Sequence, residues 1–302
     1  MIVGVIGGSG FIGSHVVDKL IEAGHDVTVF DIMKPHRDDV VHKIIDITDL
    51  TNTVVALTGN YDAVYLLAAM ADVNDCYKNP LATVEVNVLG VSNVLEACVK
   101  NEVDRFVFAS TVWVYGLSDE QDVDENTPIN ITNKEHIYTA SKVAAEVLIQ
   151  SYNHLYGQEF TILRYGIPYG PRARGGTILP IFIRLAMEGK PLTIQGDGLA
   201  HRKFIYVEYL ADGNVAALKE AAKDQVINLE GPRNITVKEV AETVNDLFDV
   251  NVEIVYVEAR PGDYAGKVVS NNKSKIILGW EPRVDFKEGA RRYLEWYKIN
   301  TK

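Results

Sequence analysis

The sequence predicts an α/β protein built on a doubly wound parallel sheet, with a second, smaller mixed α/β lobe. Three observations carry this. Short apolar runs alternate with helical stretches through the first half of the 302-residue chain. The first run, Ile2–Ile6, leads into a glycine turn that opens a helix. After Tyr165 the alternation stops at a glycine- and proline-rich crossing.

The elements follow in order. Strands are expected at Ile2–Ile6, Asp26–Phe30, His42–Ile45, Ala63–Leu67, Arg105–Ala109 and Phe160–Arg164. Each is a short apolar run, as a parallel sheet covered on both faces requires. Helices fall between them, including Phe11 to about Ala23, Leu81–Val99 and His136–Tyr156. The crossing, residues 166–176, leads to a helix at Ile178–Met187, a loop at Gly196-Asp197-Gly198 and a strand at Lys203–Tyr206. A helix at Val207–Ala222 returns to the first lobe. The tail holds helices near Val237–Phe248, Lys273–Leu278 and Phe286–Lys298, with a strand at Val252–Val255. The expected division is 1–165 plus about 201–225 for a dinucleotide-binding domain, and 166–200 plus about 226–302 for a substrate lobe.

The glycines Gly7, Gly10 and Gly13 sit between strand and helix. The unpaired N–H groups of the helix start, at Phe11, Ile12 and Gly13, and the positive end of its dipole aim at one spot. A dinucleotide pyrophosphate is the expected occupant. Gly7 permits the turn, Gly10 lets phosphates approach, and Gly13 lets the helix pack on the strand. The second strand ends in Asp31, whose carboxylate can accept both ribose hydroxyls and would repel a 2′-phosphate, so NAD is expected over NADP. Arg37 leaves a small opening for NADP.

The chain carries a net charge of −11, against general nucleic-acid binding. An anionic ligand therefore needs a local cluster of positive charge. Cys76 and Cys98 lie in no CxxC and near no histidine pattern, so free thiols are expected and no metal site. No apolar stretch long enough for a membrane, and no signal-peptide pattern ahead of the glycines, is read; the expected compartment is the cytoplasm.

Tyr138 and Lys142 are four apart on one helix and share a face. An ammonium beside a phenol favours the phenolate and is expected to lower the tyrosine pKa, making a general base. The spacing is weak alone, but the helix follows the fifth strand, where such a sheet presents its ligand crevice. That strand ends in Ser110-Thr111, whose hydroxyls can bond a substrate oxygen or the phenol.

These pieces together resemble the extended short-chain dehydrogenases/reductases, specifically the NAD-dependent sugar epimerase/dehydratase family with its Rossmann domain. The resemblance runs nearly the whole chain. It includes Gly7-x-x-Gly10-x-x-Gly13, Asp31, Asp46-Ile47, Leu67-Ala68-Ala69, Asn87 and Phe108-Ala109-Ser110-Thr111. It continues through Tyr138-Thr139-Ala140-Ser141-Lys142, Leu163-Arg164-Tyr165, Tyr169-Gly170-Pro171-Arg172, Arg202-Lys203-Phe204, Arg260-Pro261-Gly262-Asp263 and Leu278-Gly279-Trp280. It implies that Asp31 holds the adenosine ribose and that Asp46 and Ile47 contact adenine. Leu67, Ala68, Ala69, Asn87, Ser110 and Tyr165 would line the cofactor groove, and Lys142 would bond the nicotinamide ribose. Thr111, Tyr138, Thr177, Arg202, Arg260 and Asp263 would face the substrate, the two arginines clamping the diphosphate of a nucleotide sugar.

After the Ser-Thr, dehydratases of the family carry Asp-Glu and decarboxylases usually a Glu; this chain has Val112-Trp113. Neither moves a proton, so elimination loses its acid/base pair. The expectation is an epimerase that inverts C4 of a nucleotide sugar, most simply UDP-glucose/UDP-galactose, through a transient 4-keto sugar. A 4-keto-sugar reductase and a non-catalytic NAD sensor are the alternatives. The family asparagine of Arg-Tyr-x-Asn reads Ile167 here, which leaves the sugar open. Relatives pair the helices Leu81–Val99 and His136–Tyr156; Val84, Val88, Val91, Leu95, Val143 and Val147 are the apolar positions that would serve a homodimer.

Overall fold

A computed structural model describes residues 1–133, 136–248, 252–258 and 266–300. Seven strands form one parallel sheet in the order Gln225–Leu229, Glu159–Tyr165, Arg105–Thr111, Ala63–Leu66, Ile2–Ile6, Asp26–Phe30, Val41–Lys43. Chain order reverses between Ile2–Ile6 and Ala63–Leu66, and at such a switch point the carboxyl ends of the strands leave an open crevice.

The period-2 alternation of each strand fills two cores. Val3, Val5, Val27 and Val29 pack with Val16, Val17 and Leu20 of helix Phe11–Glu22 on one face. On the other face Ile6, Phe30, Leu66, Phe106 and Phe108 meet Val94, Leu95, Ala145 and Ile149. A third core, including Phe182, Ile194, Phe204, Tyr206, Val244 and Tyr293, belongs to the second lobe. There, strand His201–Tyr206 runs parallel to Ile167–Tyr169 and antiparallel to Asn234–Thr236, while Leu192–Gln195 pairs with Ile254–Val257.

Several expectations need correction. Gln225–Leu229 is a full strand of the main sheet, in register from Gln225↔Thr161 to Leu229↔Tyr165, so a division at 225/226 cuts it. Leu278 and Trp280 also join the main-lobe core rather than the tail's own. The helix expected through Ala222 stops at Ala216, and a short 3₁₀ turn, Glu220–Ala222, follows. Pro80–Lys100 runs 21 residues and, by length and composition alone, is apolar enough to span a membrane, contrary to the sequence-based expectation. Half of it is buried here against the sheet. Its turns widen to a π-type stretch at Glu85–Leu89, and Gly90 then passes so close to Ile47 that a Cβ would lie 2.7 Å from Cδ1. Of the positions assigned to a dimer face, Val91 and Leu95 are buried in the chain's own core, whereas Val84 and Val147 are exposed. Cys76 and Cys98 are both free thiols, buried and apart from any disulfide.

Candidate active site

The turn after Ile2–Ile6 is set by close approaches. Gly7 has φ +85°, and a Cβ there would lie 2.4 Å from Ala68 N; one on Gly13 would lie 2.0 Å from Gly7 O. No side chain caps helix Phe11–Glu22 at Gly10, so its first N–H groups stay available to an anion. Beside the turn is a cavity of about 630 Å³, lined by Asp31, Ile32, Met33, Asp46, Ile47, Ala68, Glu85 and Val86 among others. Asp31 Oδ2 accepts from Ser9 N and Oδ1 from Met33 N, both at 2.9 Å, which fixes the carboxylate at the cavity wall. Arg37 is turned to Asp18 and Asp39. The uncapped helix, the glycine clearances and the ribose-side acid fit a dinucleotide.

A second cavity of about 340 Å³ adjoins the first through Gly7, Gly10, Leu67 and Ala69. Phe11, Ile12, Gly13, Ser110, Thr111, Trp113, Tyr138, Tyr165, Ile167, Arg174 and Thr177 are among its lining residues. None of the described lining residues is an Asp or Glu. Thr111 bonds the Tyr138 hydroxyl and also accepts from Trp113 N at 3.2 Å, capping the following 3₁₀ turn. The Trp113 ring stands edge-on to Tyr138, with centroids 6.3 Å apart.

The expected Tyr–Lys chemistry is altered. Lys142 Nζ donates to Ala109 O at 2.8 Å and lies 4.6 Å from the Phe108 ring centre. The shared helix face brings the two residues together, but the ammonium reaches back to the strand end. Burial pushes the Tyr138 phenol up to about 12, outweighing the Thr111 hydrogen bond and the Arg174 charge, which lower it. Burial likewise pushes Lys142 down to about 8, against the pull of Glu146.

Other predicted residues serve the frame. Asn87 is buried; its Oδ1 accepts from Met70 N and its Nδ2 donates to Met70 O and Ser141 Oγ. It braces the strand-end loop and does not line the groove. Ser110 Oγ donates to Glu146 Oε1 at 2.5 Å, and the Tyr165 hydroxyl donates to Asn214 Oδ1 at 2.5 Å, so both polar groups point away from the crevice. Glu146 also takes Arg164 in a fork, Nε to Oε1 at 3.0 Å and Nη2 to Oε2 at 2.6 Å. This buried pair bolts the Tyr138 helix to the sheet. Thr177 caps no N–H of its helix; its hydroxyl donates to Arg174 O at 3.2 Å. Arg202 is on strand His201–Tyr206, donates to His201 O at 2.8 Å, and is absent from the residues lining the cavity. Arg260 and Asp263 lie outside the described residues.

Sequence reasoning missed Arg174, which lines both cavities. The signal was present: two arginines, Arg172 and Arg174, in a stretch, residues 170–176, otherwise made of Gly, Pro and Ala.

Comparisons with known proteins identify the family. The model of the NAD dependent epimerase/dehydratase family matches residues 3–229. A putative UDP-glucose 4-epimerase of Methanocaldococcus jannaschii is 34% identical, covering 99% of each chain. UDP-glucuronic acid decarboxylase 5 of Arabidopsis thaliana is also 34% identical, over 98% of this chain and 89% of that one. Among solved structures, UDP-glucose 4-epimerase of Thermotoga maritima with UDP-glucose superposes with a TM-score of 0.93 at 29% identity, covering 100% of both chains. UDP-glucose 4-epimerase of Thermus thermophilus in complex with NAD gives 0.86 at 31% identity, over 99% of this chain and 100% of that one. The chain belongs to the NAD-dependent epimerase/dehydratase family of nucleotide-sugar enzymes, and its cofactor is NAD.

Proposed function

We propose that the chain inverts C4 of a nucleotide sugar, most simply interconverting UDP-glucose and UDP-galactose. The observation that carries this is the content of the second cavity. Tyr138 and Thr111 form a proton-handling pair there, and the described lining holds no carboxylate. Elimination of water needs an acid and a base at the ring carbons; oxidation and reduction at one carbon need only a group that takes and returns the hydroxyl proton. NAD supplies the hydride acceptor when bound. Tyr138 takes the proton of the sugar hydroxyl, and Thr111 orients that oxygen. Trp113 fills the place where relatives that dehydrate or decarboxylate carry acids. The uridine diphosphate sugars in the relatives' names support UDP as the carrier.

We also propose a homodimer through the exposed apolar flank Leu81, Val84, Leu89, Val147 and Leu155, where Val147, Gln150, Ser151, His154 and Leu155 line a shallow groove.

The test is incubation with separate UDP-, dTDP- and GDP-hexoses and pentoses in heavy water, with products read by NMR. The C4 epimer should form without deuterium at C4, because the hydrogen leaves and returns as hydride. Deuterium at the inverted centre, or a decarboxylated or dehydrated product, would overturn the assignment.

A further inference from the structure

We propose that Arg174, carried by the crossing into the second lobe, holds the cofactor's pyrophosphate from the side opposite the glycine turn. The cavity beside Asp31, Asp46 and Ile47 and the cavity beside Tyr138 and Thr111 are distinct spaces, and Arg174 lines both together with Gly7 and Gly10. A dinucleotide has two halves, and the pyrophosphate is the part flanked by both. A side chain that borders each half's cavity, at the glycine turn, stands where the phosphates pass.

Besides Arg174, the ionisable residues lining the adenosine-side cavity are Asp31, Asp46 and Glu85, all acidic. The cavity beyond has no acidic lining residue, and Arg174 is its sole lining cation among the described residues. A chain of net charge −11 therefore meets a pyrophosphate with one guanidinium and the helix start. That guanidinium is exposed and has no hydrogen bond or ion pair among the described residues. Its neighbour Arg172, by contrast, is fully engaged.

Arg172 has φ +65°, an unusual backbone for a residue other than glycine, and it redirects the crossing just before Arg174. It is held there by Asp18, with Nη2 to Oδ2 at 2.8 Å, and by His15, with Nε to Nε2 at 3.2 Å. His15 Nε2 lies 2.8 Å from Pro171 O. Both His15 and Asp18 belong to helix Phe11–Glu22, the helix that the glycine turn opens. The backbone two residues before Arg174 is thus tied to the helix that the glycine turn opens.

The inference rests on the family's NAD and not on epimerisation, so binding and turnover can fail separately. The test uses cofactor-free protein and titrates NAD, ADP-ribose, adenosine and UDP by calorimetry, for the wild type, Arg174→Gln and Arg174→Lys. Losing a charge-assisted bond to the phosphates should weaken NAD and ADP-ribose by about tenfold to a hundredfold. Adenosine, which has no phosphate, should bind as before, and Arg174→Lys should recover part of the loss. Asp18→Asn, which frees Arg172, should weaken ADP-ribose in the same direction by less. Unchanged ADP-ribose with weakened UDP would assign the arginine to the substrate and overturn the proposal. Equal weakening of adenosine would show a general disturbance of the fold and overturn it as well.

Discussion

Replacing Lys142 by Met should make the cofactor-free protein more stable while abolishing most of its activity. Lys142 is 4% exposed and donates one hydrogen bond, to Ala109 O. Its pKa falls from 10.5 to about 8 because burial penalises the ammonium. A depressed lysine binds fewer protons folded than unfolded between those values. Its cost is therefore full below pH 8 and fades as pH rises toward 10.5. The gap is worth about 3 kcal/mol at neutral pH. Met keeps the packed stem but leaves the Ala109 carbonyl without this donor, a loss of about 1 kcal/mol. The variant should gain about 2 kcal/mol at pH 7. Between pH 7 and pH 9 that advantage should shrink by about 1 kcal/mol, as the wild-type lysine sheds its proton. Subtracting the two proteins matters, because buried Glu230, raised by desolvation, drives stability the opposite way over the same range. Urea unfolding at each pH, with m unchanged, measures the difference. A variant less stable than the wild type at pH 7, or an advantage that does not change with pH, would refute the reasoning.

Three further outcomes are expected. Tyr138→Phe should keep NAD and lose about 10²- to 10⁴-fold in kcat, since only the phenol's proton transfer is removed; steady-state rates with bound-NAD quantification check it. Glu146→Gln should cost about 3–5 kcal/mol by leaving Arg164 buried and uncompensated, whereas the double change Glu146→Leu with Arg164→Met should cost less; urea unfolding of the wild type and both variants decides. Gly13→Ala should purify without cofactor, because the added methyl would lie 2.0 Å from Gly7 O and the turn must open; ultraviolet absorbance of the isolated protein reports it.

Ile2–Ile6 and Asp26–Phe30 were legible to the residue because each apolar run ends at a turn signal. Gln225–Leu229 was not. Its apolar residues are only Val226, Ile227 and Leu229, and what makes it a strand is Glu159–Tyr165, some sixty residues away. Asp122–Val123 and Val268–Val269 are two residues each and carry no period at all. In the site, residue types were legible and directions were not. Ser110 and Thr111 are adjacent and chemically alike, yet consecutive strand residues face opposite ways. One hydroxyl serves Glu146 and the other serves Tyr138. Asn87 likewise advertised hydrogen-bonding capacity that the fold spends on Met70 and Ser141. Arg174 shows the converse, since a crossing with no periodicity gives no reason to aim a side chain anywhere.

The raised phenol also constrains the chemistry. At pH 7 a tyrosine near 12 is ionised in about one molecule in 10⁵, too few for a general base. Thr111 and Arg174 lower it, and burial still wins. A cation held in the cavity that Tyr138 lines would lower it further, because an opposite charge within a few ångström favours the phenolate. The nicotinamide ring is positive when oxidised and neutral when reduced. With an oxidised nicotinamide held in that cavity, the Tyr138 phenol would be a stronger acid than with a reduced one. Burial of Tyr138 thus leaves its proton affinity open to a charge bound in the cavity it lines, which is what the proposed oxidation and reduction at one carbon would use.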